Sequence, residues 1–140
     1  MDDPAMPLAG PRVIETASVL WVIEQERLAG RTATDTRRLA GAMADVLSPP
    51  RVIEIKAFGG SARGADIPLE PRQVEAARTN PEFWLYVVDN VAQGDPREFG
   101  LHIFGGERLR NLLDRLREHR YYTLPIGVAE FDSAPGVSAL

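Results

Sequence analysis

The 140-residue chain contains no cysteine, which excludes a disulfide framework and any thiolate metal centre. No apolar run approaches the roughly 18 residues that span a bilayer, so no transmembrane helix is expected. The opening stretch "MDDPAMPLAGPR" is acidic and proline-rich. It lacks the basic n-region and apolar h-region of a signal peptide, and the expected location is cytoplasmic. The formal net charge is -4 and the pI is near 5.2. That balance argues against charge-driven adhesion to nucleic acid, although a site that collects divalent cations must itself be acidic. The two histidines, His102 and His119, have no supporting ligand spacing, so neither a histidine metal site nor a histidine nucleophile is indicated. "GGSARG" lacks the Gly-Lys-Ser/Thr ending of a phosphate loop. There is no internal repeat and no low-complexity tract.

What remains is an ordinary globular composition, 44% hydrophobic, with the length of one domain. The expected layout is a flexible arm over residues 1–11, a single domain over 12–132 and a flexible tail over 133–140. Residues 12–30 read as a helix, with Val13, Ala17, Leu20, Trp21, Glu24 and Leu28 at helical spacing. Residues 31–40 are polar and fit a loop or a short helix. "GAMADVLS" and "RVIEIKAF" read as strands around a turn at "SPP", since Pro49 and Pro50 cannot continue a central strand. "EPRQVEAARTN" reads as a helix with Pro71 in its first turn and Val74, Ala76 and Ala77 inward. "EFWLYVVDNV" and "REFGLHIF" read as antiparallel neighbours. "ERLRNLLDRLREH" is an amphipathic helix, and "YYTLPIGVAEF" reads as an added edge strand. The order predicts an α/β fold, a mixed sheet with helices on its faces. Trp21 and Trp84 are expected in the core, and Arg72 and Arg78 on a helix surface.

Glu54 and Lys56 are the anomaly. Residues two apart on a strand project to the same side. If the turn is centred between Pro49 and Pro50, antiparallel partners sum to 99 and Asp45 stands opposite Glu54, within reach on the same face. Two prolines do not fit a primed two-residue turn, so a longer loop is expected, and a one-residue slip would move Asp45 away. Paired carboxylates repel unless a cation lies between them. Mg²⁺ or Mn²⁺ suits one or two carboxylates plus waters and phosphate oxygens, and a nearby lysine could orient water or stabilise phosphate charge. The arrangement points to metal-assisted phosphodiester hydrolysis. A solvated strand face is the plain alternative.

"ADVLSPPRVIEIKAFGG" followed by "IPLEPRQVEAARTNPEFWLYVVDNV" resembles the NO VEIN C-terminal-like domain of the PD-(D/E)xK restriction-endonuclease-like superfamily, over about Val13 to Asp132. The resemblance implies a restriction-endonuclease-like αβββαβ core. It implies catalytic Asp45, Glu54 and Lys56, with Asp45, Glu54 and a first-helix glutamate as metal ligands. Glu15 is the leading candidate for that glutamate, with Glu24 and Glu26 behind it. Gln73 stands where related domains often carry glutamate. Gln73 and Arg63 are expected nucleic-acid contacts. DNA is the expected substrate, in a setting of restriction or defence, and a homodimer or larger complex is an expected assembly. An inactive nuclease-fold adaptor that binds a protein or nucleic acid is the rival reading.

Overall fold

The computed structural model describes residues 5–137. Helix α1 (Pro11–Leu28) leads into β1 (Thr34–Asp35), β2 (Val46–Ser48) and β3 (Arg51–Ala57). Helix α2 (Pro71–Thr79) then precedes β4 (Phe83–Asp89) and β5 (Gly100–Gly105), and α3 (Gly106–Leu113) and α4 (Val128–Ser133) complete the chain. The strands form one sheet in the order β1-β2-β3-β4-β5. The β3–β4 pair is parallel and the other three are antiparallel. The expected αβββαβ order is therefore present, with β5 added beyond it.

The sheet carries a core on each side. Ile53 and Ile55 of β3 join Val19, Val22 and Ile23 of α1. Phe83, Leu85 and Val87 of β4 join Ala77 of α2 and Leu109 and Leu113 of α3. Strand β4 is covered on both faces, which is why it reads as an unbroken apolar run.

Helix α1 presents a different face to the core from the one its apolar spacing suggests. Ser18, Val19, Val22, Ile23 and Glu26 are buried, whereas Val13, Leu20 and Leu28 are 47%, 59% and 73% exposed. The inward polar groups are satisfied locally. Ser18 Oγ donates to the Ile14 carbonyl at 2.8 Å, and Glu26 takes both donors of Arg31 at 2.7 Å. Satisfied polar groups can be buried at little cost, so the hydrophobic pattern alone misassigned the inner stripe.

The β2–β3 hairpin has a two-residue connection. Ser48 pairs with Arg51, and only Pro49 and Pro50 intervene, joined by a cis peptide. A type VI turn, with cis-proline at its third position, accommodates this sequence. The longer loop expected from primed-turn geometry is not needed. Polar residues 31–40, read as loop or helix, hold the two residues of β1, and residues 41–45 of the expected "GAMADVLS" strand are irregular.

Helix α3 ends at Leu113 rather than near His119. Beyond it "DRLREH" offers only Leu116 for packing, 40% exposed, and short helices depend on tertiary contact. The edge strand expected at "YYTLPIGVAEF" is not formed; residues 121–127 have no regular structure and α4 follows. The stretch before α1, expected to be loose, is tied at Leu8, whose N–H donates to the Ala92 carbonyl at 2.7 Å and whose side chain lies against the α1-side core. Residues 1–4 of that expected arm and 138–140 of the expected tail lie outside the described residues. No helix among the described residues is long and apolar enough to cross a membrane.

Candidate active site

The register Val46↔Ile53, Leu47↔Val52, Ser48↔Arg51 ends at Val46, and Asp45 lies just outside the ladder. Asp45 N–H donates to the Ile53 carbonyl at 3.1 Å, and its own carbonyl accepts from Thr36 N–H at 2.8 Å. Asp45 is thus bonded beside the Val46–Ile53 pair and its Oδ2 accepts from Ile55 N–H at 2.9 Å, which leaves its carboxylate near enough to Glu54 to repel it. Glu54 is 7% exposed. Lys56, the chain's only lysine, places Nζ 3.8 Å from Glu54 Oε1.

The N-terminal turn of α2 completes the cluster. Gln73 is 7% exposed. Its Nε2 donates to Glu54 Oε1 at 2.7 Å. Its Oε1 accepts from Lys56 Nζ at 3.1 Å and from Glu70 N–H at 2.9 Å. The expected contact of Gln73 with nucleic acid gives way to an internal one, because its polar atoms are turned toward Glu54, Lys56 and the start of its own helix. Gln73 and Ala77 are the buried residues of α2, where Val74 and Ala76 were expected beside Ala77.

Burial pushes the Glu54 carboxyl up to about 7, and repulsion from Asp45 adds to the rise, while Lys56 and Arg72 offset part of it. Burial also raises Asp45, against the hydrogen bond from Ile55 N–H. A buried carboxylate with a raised pKa favours folding when protonated. Its contribution is fully present below the unfolded value of 4.5 and is lost as pH rises through about 7. Without divalent cations, Glu54→Gln should therefore gain over the wild type between pH 5 and pH 8.5. The gain should reach about 3 kcal/mol at the upper end, at 1.36 kcal/mol per pKa unit. Urea unfolding at the two pH values checks this, and a pH-independent difference would refute the electrostatic account.

Asp45 and Glu54 line a cleft of about 200 Å³ with Thr36, Arg37, Met43 and Arg72. Arg72, expected as a plain surface charge, borders this cleft while pairing with Glu70 at 3.1 Å. Arg37, never singled out by spacing, ties Asp35 at 2.9 Å and Glu15 at 3.6 Å. Glu15 itself is half exposed and borders a separate depression with Lys56. Among the described residues no three His, Asp or Glu side chains are grouped to hold a metal ion, so the structure does not gather Glu15 with Asp45 and Glu54. Glu24 is exposed, and Glu26 is buried on the opposite side of the sheet with Arg31 and Tyr86. Arg63 lies exposed on the glycine-rich loop.

A buried and a half-buried carboxylate that repel each other fit a hard divalent cation. Mg²⁺ typically accepts one or two protein carboxylates and completes its shell with water and phosphate oxygens, so a third carboxylate is not required.

A family model described as "Protein NO VEIN, C-terminal" matches residues 14–101, from α1 into β5. The chain belongs to this family. No curated protein and no solved structure matches it. The NO VEIN C-terminal match contains every residue of the cluster and stops short of α3, well before Asp132, where the resemblance was expected to end.

Proposed function

We propose that this NO VEIN C-terminal domain is a metal-dependent nuclease that hydrolyses phosphodiester bonds, in DNA first, with Mg²⁺ or Mn²⁺ held by Asp45 and Glu54. The observation that carries the reading is the buried Glu54 carboxylate repelled by the neighbouring half-buried Asp45, with the Lys56 amine 3.8 Å from Glu54. The αβββαβ order and the resemblance to restriction-endonuclease-like proteins support it.

A bound cation would polarise a phosphate oxygen and acidify water. The protein's own groups do the rest. Gln73 holds the Lys56 amine beside Glu54, where it stabilises charge on the phosphate or moves a proton. Arg72, with a side chain 78% exposed at the cleft, offers a cation to the nucleic-acid backbone, the usual role of arginine there.

The test pairs cleavage of single- and double-stranded DNA and RNA with thermal unfolding. Mg²⁺ or Mn²⁺ should raise the melting temperature of the wild type by mass action, and Asp45→Asn should remove most of that shift along with cleavage. Equal shifts in both proteins would place the metal elsewhere. Absence of any shift together with absence of cleavage would favour an inactive adaptor.

A further inference from the structure

Beyond Leu113 the chain carries its apolar side chains into solvent. Tyr121, Tyr122, Leu124, Ile126, Val128 and Phe131 are 62–93% exposed. Large apolar side chains exposed in such number along one segment mark an interaction site. Just before the segment, Arg117 pairs at the surface with Asp66 on the loop between β3 and α2 at 3.2 Å.

The same chain carries a surface of matching character. Strand β5 ends the sheet, so one row of its N–H and C=O groups has no neighbouring strand among the described residues, a template for strand addition. Ile103 of β5 pairs with Tyr86, whose side chain lies in the α1-side core. Ile103 remains 37% exposed, because α1 packs over β1, β2 and β3. The margin of the sheet is therefore uncovered on that side.

We propose that the C-terminal arm is exchanged between two copies of the chain, residues 120–126 of each adding as a strand to the free β5 edge of the other. Tyr122, Leu124 and Ile126 alternate along the arm and would share one face of the added strand, continuing the apolar margin at Ile103. Pro125 fixes the parity. Having no N–H, it must belong to the outward set with Tyr121 and Thr123, so Tyr122 and Leu124 make the ladder bonds. Aromatic side chains bury about 150–250 Å² each. Tyr122 is the one aromatic on the buried face of each arm, and with Leu124, Ile126, the ladder backbone and the acceptor surfaces, two arms give on the order of 1,200–2,000 Å², the size of a stable interface. This inference does not depend on the nuclease reading.

Size-exclusion chromatography with light scattering on the full chain should give twice its 15.4 kDa. Tyr122→Ser with Leu124→Ser should give a monomer with unchanged circular dichroism, since these side chains contribute nothing to either core. Leu124→Pro should also break the dimer, and Thr123→Pro should leave it intact. A monomeric wild type would overturn the proposal. So would a dimer that survives the double substitution, or two proline variants that behave alike.

Discussion

Lys56→Met is expected to slow nucleic-acid cleavage by about 10²-fold or more, the usual cost of losing a proton-transfer group. It should leave the metal-induced stabilisation of the protein in place. Methionine keeps the aliphatic stem, and the Lys56 side chain is only 18% exposed, so packing survives. Gln73 Oε1 is not orphaned, because Glu70 N–H still donates to it. The amine that partly offsets the raised pKa of Glu54 is gone, so the comparison belongs near pH 8, where both carboxylates are ionised and the pair attracts a cation at least as strongly. Glu54→Gln should separate from this behaviour. It removes a charge the metal requires, so cleavage and the metal-induced shift should fall together, with partial recovery at higher Mn²⁺. Arg78→Ala, on the exposed side of α2, should change neither. Single-turnover rates and thermal shifts measured on the same preparations decide it. Unchanged cleavage in Lys56→Met would remove the lysine from the chemistry.

Arg31→Met should destabilise the protein by about 3–5 kcal/mol near neutral pH, the cost of stranding one member of a buried ion pair. Glu26 is 2% exposed, and burial alone would raise its pKa. Hydrogen bonds from Arg31, Ser48 and Tyr86, with the Arg31 charge, together outweigh that, and the net shift is downward. Ser48 Oγ stands near enough to contribute yet forms no hydrogen bond of ordinary geometry. Tyr86 OH donates to Glu26 Oε2 at 3.0 Å and accepts from Arg51 at 2.6 Å, and the Arg51 guanidinium also lies 3.8 Å from the Trp84 ring centre. With Arg31 removed, the carboxylate keeps one weak donor. It should then fold protonated, so the deficit should shrink at pH 4. A Glu26→Met, Arg31→Met double variant should recover much of the loss, since an apolar pair of similar volume often matches a buried ion pair. Chemical denaturation of the three variants checks both points, and a single-variant loss below 1 kcal/mol would show the pair to be solvated.

The two predictions concern opposite faces of the sheet, and the sequence exposed them unequally. A hairpin centred between Pro49 and Pro50 predicts partners that sum to 99, and Val46↔Ile53 keeps that sum, but the departure of Asp45 from the ladder, with its N–H on the Ile53 carbonyl, was not legible. Strands β3 and β4 were legible because β-branched and aromatic residues fill them, and β5 because it alternates one short loop after β4. Glu26 reads in the sequence as a surface charge or a distant ligand. Its partner Arg31 lies past the helix end, in a segment with no periodic signal, and a carboxylate satisfied by non-neighbouring residues looks no different from an exposed one. The same blindness turned α1, placing Val13, Leu20 and Leu28 inward when the buried row runs through Ser18 and Glu26. Strand β1 was illegible because two residues carry no pattern, and its existence depends on β2 lying beside it. The inward role of Gln73 on α2 is not legible, since its partners Lys56 and Glu54 lie on β3, 17 and 19 residues away.

A lysine count of one has a practical reach beyond catalysis. Amine-directed labels can react with this chain at only two kinds of group, the α-amino terminus and Lys56, and the side chain of Lys56 is held against Gln73 and Glu54. Any reagent stoichiometry above one per chain therefore reports on a single address, and a spectroscopic tag installed there would sit inside the cluster without any engineered substitution.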